Sequence, residues 1–418
     1  MNPETSSVCV LGLGYIGLPT AALIASRGLR VVGVDINPAI VETVAQGNIH
    51  IAEADLDGLV QKVVTSGRLV ARSTSEESDV FVIAVPTPLS GNKKPVIDNV
   101  IAAAQSIAPH LRRGCLVIIE STCPIGTTEQ VRDMFVQMRP DLKFPGHDGN
   151  GAEPDVYLAC CPERVLPGRI LIELVQNDRC VGGLTAHCAA KARQFYELFV
   201  RGDCIETEAR TAEMVKLTEN AYRDTNIAFA NELSLICDHV DVNVWKVIEL
   251  ANRHPRVDIL KPGPGVGGHC IAVDPWFIVD AAPREARLVR MSRDINDGKA
   301  VYVRHQIERL MQSYPDRDVT CLGLTFKANV DDLRESPALE IAEGLAKKHG
   351  KRISVVDPFV NKLPATLYRA GARKIDLDEA LKNPGILVVL VDHEPFRKVS
   401  AERRNGAVVY DTRGIWRS

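Results

Sequence analysis

The run Gly12-Leu13-Gly14-Tyr15-Ile16-Gly17 constrains this chain more than any other. It follows an apolar, β-rich stretch, SVCVLGLG, and leads into LPTAALIASRG, which reads as a helix closed by a glycine. In such a strand–turn–helix the first glycine makes the tight bend and the second lets a ligand approach the backbone. The third lets helix and strand pack closely. Asp35 closes a second β-rich run, VVGVD, eighteen residues after Gly17, near the ~20-residue spacing of an acid that holds a ribose. Backbone N–H groups at the helix start suit a pyrophosphate. The pattern predicts a dinucleotide site built from Gly12, Gly14, Tyr15, Ile16, Gly17 and Asp35. A carboxylate at that point accepts from ribose hydroxyls and repels a 2′-phosphate, so NAD is expected over NADP.

Strands and helices keep alternating after this turn. DVFVIAVP, CLVIIES and DVYLACCP read as further strands, which predicts parallel βαβ units in a doubly wound sheet. Loops after later strands cross the same crevice, which places Val85-Pro86-Thr87-Pro88 and Glu120-Ser121-Thr122 on the ligand side. From Thr207 to Asp241 there is no Gly or Pro in 35 residues, and Met214, Leu217, Ala221, Ile227, Ala230 and Leu235 recur at helical spacing. That predicts a helix of ~50 Å, a spine that joins domains or pairs with a second subunit. VWKVIELANRHP reads as a shorter helix, SPALEIAEGLAKKHG as another. DVTCLGLTFK, RISVVDP, GILVVLVDH and AVVYDTRG return to strands. The expected architecture is α/β: two Rossmann-like doubly wound domains joined by a helical central domain, divided as 1–202, 203–300 and 301–418.

Composition removes several classes. Fifty-three acidic against 50 basic residues give a net charge of -3, which argues against a mainly electrostatic binder of nucleic acid or anionic membrane. Hydrophobic residues at 45% and charged residues at 25% are those of a folded domain. No apolar run reaches the ~18 residues of a membrane span, and MNPETSSVCVLGLGYIG lacks the basic start of a secretory signal. Eleven cysteines without a C-x-x-C suggest neither a disulfide scaffold nor a zinc ribbon. A reducing, cytoplasmic setting is expected, with most thiols acting as small buried hydrophobes (Cys9, Cys115 and Cys237 lie in apolar runs).

One thiol stands apart. Residues 263–270, GPGVGGHC, carry four glycines just before Cys270, and Asp274-Pro275 follows. A glycine-rich turn entering a helix gives a nucleophilic cysteine the access it needs. A zinc site from His269, Cys270 and Asp274 would lack a second ligand cluster, so no metal is expected. Lys216 and Asn220 lie four apart on the spine helix, hence on one face. That face either presents an ammonium and an amide to one oxygen or is simply solvated. Glu163, in CPER after a strand, is either a base or an exposed carboxylate.

Taken together, GLGYIGLP (12–19), VPTP (85–88), ESTCPIGTT (120–128), CPERVLPG (161–168) and AEMVKLTENAYRDTNIAFANE (212–232) resemble the UDP-glucose/GDP-mannose dehydrogenase family. GPGVGGHCIAVDPWF (263–277), GLTFKANVDDLRESPA (323–338) and DTRG (411–414) extend the resemblance over nearly the whole chain. Within that family the chain is similar to the branch acting on UDP-N-acetyl-D-mannosamine. It departs from the GFGGSCF version of the UDP-glucose enzymes by placing His269 beside the cysteine.

The resemblance implies oxidation of a sugar C6 alcohol to a carboxylate with two NAD+ in succession, through a thiohemiacetal and a thioester on Cys270. It gives Lys216 and Asn220 the stabilisation of oxyanion charge, Asp274 the orientation of a water or the lysine, and Glu163 and Thr122 base or water-positioning roles. Pro86, Thr87, Thr122 and Arg334 become contacts to NAD. Glu163, Arg164, Val165, Lys216, Asn220, Arg223, Gly267, Lys327 and Arg413 become contacts to the UDP-sugar, with Arg256 reaching a neighbouring subunit's site. A homodimer through the central helix is implied, feeding a surface polysaccharide. UDP-N-acetylglucosamine and UDP-glucose remain rival substrates. A binding protein without turnover and a two-electron dehydrogenase are the rivals of other classes.

Overall fold

The computed structural model describes residues 6–51, 53–146, 153–165, 168–382 and 384–416. The first five residues, and Leu166 and Pro167 of the CPERVLPG segment, lie outside the described residues. Two compact units result, Met1–Thr218 and Glu219–Ser418.

In the first unit the strands are β1 (Ser7–Leu11), β2 (Arg30–Val34), β3 (Leu69–Arg72), β4 (Val80–Ile83), β5 (Leu116–Ile119), β6 (Tyr157–Cys160), β7 (Arg179–Gly183) and β8 (Cys204–Glu208). Among the described residues they form one sheet in the order β3-β2-β1-β4-β5-β6-β7-β8. The order reverses between β1 and β4, which is where doubly wound sheets open a crevice at the strands' C-terminal ends. Period-two alternation feeds both faces. Val8 and Val10 of β1 join one buried cluster with Ala21, Ala22 and Ile24 of helix α1 (Gly17–Ser26). Cys9 and Leu11 join a second, with Val131 and Phe135 of helix α2 (Thr127–Met138).

The second unit contains β9 (Val319–Leu322), β10 (Ile353–Val356), β11 (Arg373–Lys374), β12 (Ile386–Val389) and β13 (Val408–Asp411), in the order β11-β10-β9-β12-β13 and parallel throughout. It repeats the first unit's arrangement at its core. In the first unit Gly12 N–H bonds the Val34 carbonyl, while Leu13 and Asn37 N–H groups donate to the two oxygens of Asp35 at 2.9 Å each. In the second, Gly323 N–H bonds the Val356 carbonyl, and Leu324 and Phe359 donate to the two oxygens of Asp357 at 2.7 and 2.9 Å.

The spine is helix α3 (Ala209–His239), followed by α4 (Val244–Ala251), α5 (Asp274–Ala281), α6 (Arg287–Ser313) and α7 (Pro337–His349). Several expectations need correction. The strand β3 carries little sequence signal because LVAR is only four residues long and ends in an arginine. β7 runs antiparallel to β6, so the sheet is not wholly built of parallel units. Thr207 and Glu208 end β8 instead of opening the spine. Met214 is 39% exposed, whereas Asp224 and Asn231 are fully buried. The 27 residues of α6 run through position 300, and their buried positions include Ser292, Arg293, Asn296 and Lys299. A polar buried face gives no hydrophobic period, which hid this helix.

Candidate active site

At the turn of the first unit each glycine has its own reason. Gly12 has φ +91°, and a side chain there would press on the Ala84 carbonyl. A Cβ on Gly17 would overlap the Gly12 carbonyl oxygen, whereas one on Gly14 would meet nothing within 4 Å. The turn is thus locked at its first and third glycines and open at the second, as a backbone cradle for a pyrophosphate requires. Asp35 stands half-buried at the end of β2, and its neighbour Ile36 is 93% exposed. An apolar side chain held in water beside Asp35 suits one face of a base; nothing in the sequence marks Ile36, which follows its strand like any turn residue.

The loops after β4 and β5 are tied together. Thr87 Oγ1 donates to the Thr122 carbonyl at 2.6 Å, and Val85 N–H donates to Ser121 Oγ at 2.9 Å. Asn99 Nδ2 holds the Pro86 carbonyl at 2.9 Å. Glu213, from the first turns of α3, accepts from Gly126 N, Thr128 N and Thr128 Oγ1 at 2.6, 3.0 and 2.7 Å. A carboxylate at the start of α2 satisfies donors that the helix leaves open.

Glu163 is not solvent-exposed: it is only 7% accessible. Its Oε1 accepts from Arg164 N at 2.7 Å, and its Oε2 lies 2.8 Å from Nη2 of the buried Arg179. That second approach is an ion pair without hydrogen-bond geometry. Arg179 Nη1 stands 3.6 Å from Glu120 Oε1, which also accepts from Tyr196 Oη at 2.8 Å. One guanidinium therefore faces two buried carboxyls. Burial pushes the Glu120 carboxyl up to about 7, against the pull of Arg179 and with a further push from Glu163. The cluster is neutral when Glu120 keeps its proton and carries one uncompensated buried charge when it does not.

The sign of the consequence follows. A carboxyl whose folded pKa is raised contributes stability that is complete below the unfolded value and is lost as pH climbs through the folded one. Wild-type stability is therefore expected to fall between about pH 4.5 and pH 7, by on the order of 3 kcal/mol at most. Glu120→Gln should flatten that limb in denaturant titrations across the same range; an unchanged slope would exclude Glu120 as its source.

In the second unit the residues around the thiol converge from distant segments. Cys270 is the one exposed cysteine of the eleven. Asp274 opens α5, with its N–H on the Cys270 carbonyl at 2.8 Å, and its Oδ2 accepts from Asn220 Nδ2 at 2.5 Å. Asn220 is half-buried on α3; Lys216, on the part of the same helix that belongs to the first unit, is half-buried too, so neither belongs to a freely solvated face. A Cβ on Gly267 would strike the Glu335 carbonyl, one on Gly268 the Phe326 ring, and one on Gly263 the Arg413 guanidinium. The glycine-rich loop thus lies against the segment carrying Lys327 and against Arg413. Arg413 is half-buried and pairs with Asp392 at 3.1 Å; Lys327 is exposed.

The loop of Lys327 is itself anchored. His393 Nδ1 accepts from Asn329 N at 3.0 Å, which leaves Nε2 to face Asp357 and Thr325, each at 3.3 Å. Asp357 is thereby closed off, whereas Asp35, in the equivalent place, is half-open. Arg334 is exposed and pairs with Asp332 at 2.7 Å. Arg223 and Arg256 are also exposed, Arg164 reaches the Asp178 carbonyl, and Val165 packs on the first unit's core. Arg179, Glu120 and His393 were not singled out for these contacts, since none stands in a recognisable motif with its partner.

Comparison with known proteins identifies the family of the chain. Residues 6–200 match the NAD binding domain of the UDP-glucose/GDP-mannose dehydrogenase family, 210–298 its central domain and 320–418 its UDP binding domain. The chain is 55% identical over 410 residues to the NDP-N-acetyl-D-galactosaminuronic acid dehydrogenase of Ralstonia nicotianae, covering 98% of this chain and 96% of that one. It is 50% identical over 420 residues to the UDP-N-acetyl-D-mannosamine dehydrogenase of Escherichia coli K12, covering 99% of each. Among solved structures, the UDP-D-ManNAc dehydrogenase of Pyrococcus horikoshii is similar with a TM-score of 0.87 and 36% identity, over 98% of this chain and 96% of that one.

Proposed function

Because this chain belongs to the UDP-glucose/GDP-mannose dehydrogenase family, we propose that it oxidises the C6 alcohol of UDP-N-acetyl-D-mannosamine to the carboxylate, using two NAD+ per sugar. The observation that carries the covalent part of this reading is Cys270, the single exposed thiol, at the end of a loop packed against Lys327's segment and Arg413. The open Gly14 turn and Asp35 would hold NAD, which would supply the hydride acceptor for each oxidation stage. This chain's residues do the rest. At the aldehyde stage the Cys270 sulfur adds to C6, and the oxyanion is stabilised by Lys216 and Asn220, pre-aimed donors whose value is greatest where water is excluded. Loss of the second hydride leaves a thioester. Water, ordered by Thr122, Glu163 or Asp274, breaks its C–S bond and releases carboxylate and thiol.

Lys327 and Arg413 take the UDP-sugar, since cationic groups on a phosphate are the stronger hydrogen bonds, and Arg164, Val165, Arg223 and Gly267 are its further contacts. Pro86, Thr87 and Arg334 contact NAD. The division of labour follows 1–202 for NAD, 203–300 for catalysis and dimerisation, and 301–418 for UDP. A homodimer through α3 is supported by Tyr222, Phe229 and Ile236, spaced by seven and 71%, 54% and 52% exposed. Apolar side chains kept in water in a line mark a surface that another helix covers, and Arg256 would reach across it. No helix among the described residues is long and apolar enough to cross a membrane, and the cytoplasm is the setting this reading takes.

A second reading keeps the chemistry and changes the sugar to the N-acetylgalactosamine configuration; it is favoured by the 55% identity to the Ralstonia protein. Both sugars share the 2-acetamido group. Purified protein given a panel of UDP-N-acetylmannosamine, UDP-N-acetylgalactosamine, UDP-N-acetylglucosamine and UDP-glucose, with NADH counted per sugar consumed, decides. Two NADH with the first sugar is expected. Preference for the second sugar selects the other reading, one NADH per sugar means a two-electron dehydrogenase, and none means a binding protein.

A further inference from the structure

One deeply buried polar cluster of the second unit has no part in the roles assigned so far. Asp224 and Asn231, two turns apart on α3, meet Arg293 and Asn296, three residues apart on α6; all four are at most 2% exposed. Arg293 Nη1 donates to Asp224 Oδ1 at 2.7 Å, and Asn296 Nδ2 donates to the same oxygen at 2.8 Å. Asn231 Nδ2 donates to Asn296 Oδ1 at 2.8 Å. Burying an ion pair and two amides is costly, and apolar residues of equal volume commonly hold helices together as well or better. What apolar residues do not supply is fixed donors and acceptors for other segments.

The cluster has such bonds at both ends of one segment. Asn231 Oδ1 accepts from Gly263 N at 2.9 Å, where the glycine-rich loop begins. Arg293 Nη1 makes a longer contact, 3.4 Å, to the carbonyl of Ile271, the residue after Cys270. Between these points stand Gly265, Gly267 and Gly268, which have no side chains with which to restrain the loop. Gly265 and Gly268 have φ of +144° and +83°, in the region that glycine alone enters freely. The middle of so permissive a loop is restrained by packing on Glu335, Phe326 and Pro337, and its two ends by these hydrogen bonds.

We infer that Asp224, Asn231, Arg293 and Asn296 are positioning residues that clamp both ends of the Cys270 loop and so set where the thiol stands relative to the aldehyde carbon. A small misplacement of a reacting group lowers a rate far more than it weakens binding. The inference rests on the reading of Cys270 as the nucleophile.

The test uses Asn231→Leu and Arg293→Met in the full-length protein, with semicarbazide present to capture any aldehyde released. Loosening the loop should leave the first hydride transfer within about threefold of wild type and KM for the UDP-sugar within about threefold. It should slow the second oxidation by at least roughly 30-fold, so that NADH per sugar falls from two towards one and a semicarbazone accumulates. A merely structural role would slow both oxidations together. Variants that fold yet keep two NADH per sugar with no trapped aldehyde overturn the inference. If a variant does not fold, amide exchange in the wild-type protein decides: slow exchange at Gly263 N–H supports the clamp, and exchange at the rate of an open loop overturns it. Failure of the underlying reading looks different, because Cys270→Ser would then still deliver two NADH while Gly263 stays protected.

Discussion

Cys270→Ser is expected to lower carboxylate formation by roughly 1,000-fold or more while leaving a single hydride transfer measurable. The substitution changes one atom and little volume, on a loop whose shape is set by its backbone, so folding and nucleotide binding should persist. A serine hydroxyl is a far weaker nucleophile than a thiolate at neutral pH, and the ester it would form is less reactive towards water than a thioester. The aldehyde should therefore form once and remain, visible as one NADH per active site in a rapid-mixing burst and as a trapped semicarbazone. The most deeply buried thiols cannot substitute. Burial pushes Cys9, Cys161 and Cys321 up to about 12 and Cys160 well above the ordinary thiol value, and a buried thiol of that kind is inert. Brief alkylation of the native protein should accordingly label Cys270 first and lose that label in the variant. Two NADH per sugar from Cys270→Ser would remove the covalent mechanism.

What could be read in the sequence and what could not divide along physical lines. The Gly12–Gly17 turn, its flanking strands and Asp35 were legible because one short stretch must satisfy several local constraints at once. Cys270 was legible for the same reason: four glycines in eight residues leave an unusual composition. The two units' matching cores were not. Leu13 and Asp35 are 22 positions apart, whereas Leu324 and Asp357 are 33 apart, so the same hydrogen bonds arise at different spacings and no repeat shows. Asp224 and Asn231 sit seven apart on the spine's buried stripe, a signal present in the helical pattern but read through its apolar members alone. Glu120, Glu163, Arg179 and Tyr196 come from four separate segments. Each looks like an ordinary polar or turn residue until the sheet brings them together, and that is why a surface position was the default for Glu163.

Arg179→Met should be the most destabilising single change in the first unit. The methionine fills much of the space but leaves Glu163 and Glu120 buried without a countercharge, and Tyr196 without the guanidinium 4.7 Å above its ring. Breaking a buried pair by removing one partner costs about 3–5 kcal/mol, because the remaining charge is neither solvated nor paired. The loss should depend on pH in a definite direction. With the arginine gone, folding favours the protonated Glu120 carboxyl more strongly, so its folded pKa lies further above the unfolded value of about 4.5. Stability from such groups is present below that value and disappears as pH rises. The variant should thus come closest to wild type near pH 5 and fall furthest behind at pH 8. Adding Glu163→Gln should recover part of the deficit at pH 8, since only one buried carboxyl then remains and Glu120 can keep its proton. Denaturant titrations of the three proteins at both pH values measure this, following the transition of the first unit by an intrinsic or introduced probe. A deficit under 1 kcal/mol at pH 8, or one that does not change with pH, would mean that Arg179 and the two carboxyls are not coupled as their geometry requires.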